Sequence, residues 1–107
     1  MKLVMAIVNN DDSNRVQKAL ASGGFSATKL ATTGGFLMSG NTTFIIGTED
    51  ERVTALIDIL RIHSKRRYER LETVNVSDGS FIAPASTEIM VGGATVFVMN
   101  VERFEKI

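Results

Sequence analysis

The chain has 107 residues, enough for one domain and too few for two, and its twelve basic and twelve acidic side chains cancel, which gives no support to a DNA-binding module with a basic face. Cysteine is absent, so disulfides and thiolate chemistry are excluded. Hydrophobic residues make up 44%, the level of a globular core, and no stretch approaches the roughly 20 apolar residues of a membrane span.

Residues 2–8, with a continuous apolar run from 3 to 8, predict a strand buried on both faces. The apolar part, 3–8, is shorter than a signal-peptide core and has no cleavage-like flank, so a cytoplasmic protein is expected. Asn9-Asn10-Asp11-Asp12-Ser13 is turn and cap chemistry. A helix is expected from about 13 to 21, with Val16, Ala19 and Leu20 on its inner face and Gly23-Gly24 at its end. Residues 25–32 read as the second strand. In it Phe25, Ala27, Lys29 and Ala31 point one way, and Ser26, Thr28, Leu30 and Thr32 the other. A glycine-rich tip then turns the chain into a third strand, 42–47.

Thr48 and Glu51 fit a capping box for a second helix from about 49 to 64. Val53, Leu56, Ile57 and Leu60 form its inner stripe, and Ala55, Ile59 and Ile62 broaden it. Residues 66–76 alternate weakly, with Val74 and Val76 in a short strand. Residues 77–80 are a turn or loop, and Pro84 breaks any strand nearby. The last long strand, 88–101, is interrupted at Gly92-Gly93, where a bulge or a close backbone approach is expected.

Strand, helix, two strands, helix, strand is the split βαβ order. It predicts an α+β, ferredoxin-like (βαββαβ) domain over residues 1–107, with helices on one face of an antiparallel sheet. The other face should read polar if it met water. In the first strand Leu3, Met5 and Ile7 alternate with Val4, Ala6 and Val8, and both sets are apolar. An uncovered apolar face marks an interface, so an oligomer is expected, of a number the pattern does not fix.

The glycine-rich tip carries the chemistry. Gly34-Gly35 places bare backbone before the Phe36 ring, at a strand tip where core packing is thin. Asn41 is plain turn chemistry or an amide that suits the donor–acceptor edge of adenine. A flat ring, an amide and bare backbone are the groups needed to hold a nucleobase. Thr28 is a strand-forming threonine whose hydroxyl could also reach a base or phosphate. Gly47 is a turn residue or an unobstructed amide beside a helix N-terminus. Two glycines at 92 and 93 need a reason, and approach by a neighbouring subunit or a ligand is an adequate one. Phe97 reads as core by burial preference.

His63, the only histidine, falls in the last turn of a helix and reads as a solvated helix end. Asp11 and Asp12 read as a cap, and residues 65–70 as a solvated basic face. No metal site or nucleophilic triad can be assembled.

The segments ATKLATTGGFL (27–37), GNTTFIIG (40–47), EDERV (49–53) and VGGATVFVM (91–99), with the opening KLVMAIVNNDDSNRV, run nearly end to end. On them the chain resembles the PII-like cyclic di-AMP receptors, the PstA or DarA family. The resemblance implies a homotrimer whose sheets pack around a three-fold axis. It also implies a sensor, not an enzyme, that holds cyclic di-AMP at subunit boundaries. Phe36 would stack on a base, and Asn41 and Thr28 would read its edge. Gly35, Leu37 and Gly47 would give backbone contacts, Phe97 would close the site near the second base, and Gly92 and Gly93 would lie against it. Ligand would order the loops at 33–41 and 65–87, and the second of these would be the output surface for a downstream protein that the sequence does not name.

Three positions depart from the family. Ser26 stands where the usual wording before ATKL is an arginine, Gly24 lacks the polar side chain often seen there, and Lys106 replaces a glutamine of some members. Losing the contact of that arginine costs on the order of 1.5–3 kcal/mol, about 10- to 100-fold in affinity. Weakened cyclic di-AMP binding, a different nucleotide, or a trimeric protein-interaction module with no small ligand all stay open. An enzyme on this fold is a further rival.

Overall fold

A computed structural model describes residues 1–31, 40–71 and 87–107. The elements are β1 (Lys2–Asn9), α1 (Asn10–Ser22), β2 (Ala27–Ala31), β3 (Asn41–Thr48), a 3-10 turn (Asp50–Arg52) leading into α2 (Val53–His63), β4 (Arg67–Leu71), β5 (Thr87–Val91) and β6 (Ala94–Asn100). Four strands form an antiparallel sheet in the order β2-β3-β1-β6, and β4 and β5 form a separate two-stranded ribbon. The four-stranded sheet with its two helices is the expected ferredoxin-like arrangement, and the ribbon is added to it between α2 and β6.

Alternation in β1 and β3 sorts their side chains. Val4, Ala6 and Val8 of β1 and Phe44 and Ile46 of β3 are buried, packed with Val16 and Leu20 of α1 and Leu56 and Leu60 of α2. Both helices therefore cover the same face. Of the expected inner stripe of α2, Leu56 and Leu60 are buried, Ile59 packs part-buried against the core, Val53 and Ile57 are half-buried, and Ile62 is 66% exposed.

α1 begins at Asn10, three residues before the sequence-based start. The Asn9 side chain is the cap and accepts from the Asp11 amide at 2.8 Å, satisfying one orphan donor of the first turn. Its end is a Schellman motif. Phe25 N–H donates to the Leu20 carbonyl, Gly24 N–H donates to the Ala21 carbonyl, and Gly24 takes the left-handed φ of +82°. Phe25 is thus a buried anchor beyond the helix rather than the start of β2. Arg52 reinforces this end. It donates to the Gly23 carbonyl at 2.6 Å, at the negative pole of α1, and lies 4.1 Å from the centroid of the Phe25 ring.

Two expectations fail here. The Thr48–Glu51 capping box does not form. Thr48 is buried in β3, and a 3-10 turn with no side-chain cap precedes α2. The run 88–101 is also not one strand. Gly92 and Gly93, at φ +85° and +81°, turn the chain out of the ribbon and into the main sheet, so they join two strands of different sheets instead of bulging one. The expected strand positions Val74 and Val76 lie outside the described residues.

Candidate functional site

The sheet face opposite the helices carries Thr28 and Leu30 of β2, Asn41, Thr43, Ile45 and Gly47 of β3, Leu3, Met5 and Ile7 of β1, and Thr95, Phe97 and Met99 of β6. Among the described residues nothing covers it. Leu30 is 42% exposed and Phe97 is 51% exposed. Phe97 is therefore not a core residue of the isolated chain, contrary to its burial preference. The alternation expected for β2 holds over its residues 27–30.

Four of the sequence-derived site residues, Thr28, Asn41, Gly47 and Phe97, share this face, but they do not converge. Thr28, Ile45, Met5 and Phe97 stand in one cross-strand row. Its ends are three strand spacings apart, about 14 Å. Asn41 and Gly47 lie at opposite ends of β3, about 20 Å apart at the rise of an extended strand. Thr28 and Gly47 thus belong to one end of the face and Asn41 to the other. Gly35, Phe36 and Leu37 lie outside the described residues.

Gly47 is exposed, and among the described residues a methyl group placed on it would meet nothing within 4 Å. Its φ is not in the left-handed region either. A glycine inside a strand costs roughly 0.5–1 kcal/mol relative to alanine. Neither its backbone conformation nor crowding by the described residues explains this one.

Gly92 and Gly93 have an explanation within the chain. A side chain on Gly92 would overlap the Lys65 carbonyl oxygen, and one on Gly93 would sit 2.9 Å from Cγ of Arg66. The segment joining α2 to β4 is pressed against these glycines, so they close the root of the ribbon. They also border an open cleft of about 360 Å³ at the Asn41 end of the face, with Asn9, Asn41, Arg66 and Thr95 in its walls. Arg66 read from sequence as part of a solvated basic stretch. The signal that would have singled it out is its contact with Gly93, which no local pattern reveals. A second cleft of about 310 Å³ lies on the helix side of Gly93, between Leu60, Lys65 and Arg66.

The first turn of α1 holds both ends of this arrangement. Asn10 N–H donates to the Gly40 carbonyl at 3.0 Å, and its side-chain oxygen accepts from the Thr42 hydroxyl at 2.5 Å. Gly40 is the first described residue after the glycine-rich tip, and a side chain there would collide with Nδ2 of Asn10. Two residues on, Asp12 is fully buried. It pairs with Arg15 at 2.6 Å and with Arg67, the first residue of β4, at 3.0 Å. Asp12 is therefore the inward anchor of the ribbon and not a cap. His63 closes α2, and its carbonyl accepts from Nε of Arg15 at 3.1 Å.

Among the described residues no group of three or more His, Asp or Glu is placed to hold a metal ion, and no helix is long and apolar enough to cross a membrane.

A solved structure from Pediococcus pentosaceus ATCC 25745, described as a functionally unknown protein, is similar to this chain. It shares 42% sequence identity at a TM-score of 0.75, over 99% of this chain and 96% of that chain. The family model for the cyclic-di-AMP receptor matches residues 1–107. The chain belongs to the cyclic-di-AMP receptor family.

Proposed function

We propose that this member of the family is a PII-like sensor that binds cyclic di-AMP between subunits of a homotrimer. The observation that carries the reading is the split of the candidate residues. Asn41 and its cleft lie at one end of the open face and Gly47 at the other, about 20 Å away along β3, with Thr28 opposite Ile45, two residues short of Gly47. One small ligand does not span that distance on one chain. It does meet both sets if the Asn41 end of one subunit abuts the Thr28–Gly47 end of the next. A closed ring makes that head-to-tail contact at every boundary. The exposed Phe97, Leu30 and Met99 supply the apolar surface that such an assembly buries.

In this reading Phe36 stacks on one adenine, and Asn41 and Thr28 read its edge. Gly35, Leu37 and Gly47 offer backbone, while Phe97 from β6 closes the site, with Gly92 and Gly93 bordering it. The role is binding rather than catalysis. Occupancy is passed on through the segments at 33–41 and 65–87 to a downstream protein. The roots of both segments meet at the first turn of α1, which gives a route from one to the other.

Light scattering and calorimetry test this together. The expected result is a trimer with one saturable site per chain for cyclic di-AMP, and no comparable heat with cyclic di-GMP or ATP. A monomer that binds with the same affinity would remove the boundary site. A trimer that gives neither heat nor thermal stabilisation would favour the interaction module that Ser26 leaves open.

A further inference from the structure

We propose that Arg66 is the phosphate-binding cation of the cleft between Asn41 and Gly92-Gly93. The proposal takes its ligand, a nucleotide with phosphodiester groups, from the receptor reading.

Three observations carry it. The first is charge. Six arginine side chains are described, and five of them are engaged. Arg15 and Arg67 pair with Asp12, Arg52 donates to the Gly23 carbonyl, Arg61 pairs with Asp58 and Arg103 with Glu105. Arg66 is exposed, and among the described residues no carboxylate or carbonyl accepts from it. The second is the composition of the cleft. Among the described residues, its polar side chains besides Arg66 are Asn9, Asn41 and Thr95, and no carboxylate lines it, so the described wall is positive with neutral hydrogen-bonding groups around it. That suits a phosphodiester, which carries a single negative charge.

The third is position. The Arg66 stem lies over the bare backbone of Gly93, where an added methyl group would be 2.9 Å from Cγ and 3.4 Å from Nε. A side chain already held along a wall loses less rotamer freedom when it engages a ligand. A guanidinium so held can present two parallel N–H groups to two phosphate oxygens. Gly93 therefore has a second use: it seats the cation beside Asn41, so that base edge and phosphate are read within one cleft.

The test compares the full chain with Arg66→Gln and Arg66→Lys. Arg66 is exposed and makes no ion pair among the described residues, so both variants are expected to keep the wild-type circular dichroism and oligomeric state. In calorimetric titration with cyclic di-AMP, Arg66→Gln is expected to lose about 10- to 100-fold in affinity, the worth of one charge-assisted contact. Arg66→Lys should fall between the two, and the salt dependence of binding should shrink in Arg66→Gln. Equal affinity and equal salt dependence in wild type and Arg66→Gln would overturn the proposal. Absence of binding by the wild type would instead overturn the receptor reading. The phosphate site is then judged with inorganic pyrophosphate, followed through the amide resonances of Gly92 and Gly93. Saturable shifts that vanish in Arg66→Gln uphold it, while shifts that are absent, or equal in both proteins, overturn it.

Discussion

Gly47→Ala separates what a strand needs from what a site needs. The position is exposed, its φ lies outside the left-handed region, and among the described residues an added methyl group would meet nothing within 4 Å. For the isolated fold, alanine should stabilise the strand by about 0.5–1 kcal/mol, because glycine loses more backbone freedom on folding. That gain would be read as a higher urea midpoint with an unchanged slope. The affinity for cyclic di-AMP should move the other way. A methyl group that keeps a ligand atom from close approach to the backbone forfeits that contact, and we expect at least about a tenfold loss, or 1.4 kcal/mol. Calorimetry on the same preparation measures it. Because an oligomer's stability depends on concentration, the urea transition is to be run at several protein concentrations. A variant that is less stable and dissociates would assign the empty space above Gly47 to the neighbouring subunit. A variant that is more stable and binds like wild type would refute the reasoning, since the glycine would then serve no contact outside its own chain.

Two further substitutions address the ribbon. Gly92→Ala forces a left-handed φ on a residue with a side chain and drives that side chain into the Lys65 carbonyl. The loss should reach about 2 kcal/mol or more and be confined to the ribbon, seen as faster amide exchange in β4 and β5 with β1 and β3 unaffected. Wild-type exchange in β4 and β5 would show that the ribbon's root is not closed by this contact. Asp12→Asn keeps the volume but removes the charge shared by Arg15 and Arg67, whose side chains are 53% and 35% exposed and can rehydrate. Discounted for that exposure, the expected cost is about 1–2 kcal/mol in chemical denaturation. An unchanged midpoint would mean that burying the carboxylate costs as much as its two partners return.

Much of the architecture was legible because it rests on period. The two apolar sets of β1, the Val16–Leu20 stripe of α1 and the alternation of β2 each place a side chain on one face, and the packing followed. The glycine pair at 23 and 24 ended a helix because only a left-handed residue completes the Schellman bonds. The start of α1 was misplaced because residues 9–13 are all cap-forming types. Which one caps was decided by Asp12, drawn inward by an arginine 55 positions away. The same long-range effect hid Arg66, whose placement depends on a glycine from the far side of the ribbon. At Gly92-Gly93 the pattern left a bulge or a close backbone approach open, and the approach of the Lys65 carbonyl is what the structure shows; composition marks where the chain departs from regular geometry and says nothing of which sheet each side joins.

The ribbon leaves the main body after α2 and returns at β6, and the two ends of that excursion are held close together, at Arg67 by the ion pair with Asp12 and at Gly92 by close packing against the Lys65 carbonyl. Everything threaded between those two points is a closed detour whose length does not enter the register of β1 with β6. Inserting chain there should cost the four-stranded sheet only the entropy of a larger loop, about 0.6 kcal/mol for each doubling. If the proposed relay holds, the excursion could be rewritten to suit a different recipient while the face that would receive the nucleotide stays as it is, and a graft between residues 72 and 86 would be the place to exchange one output for another.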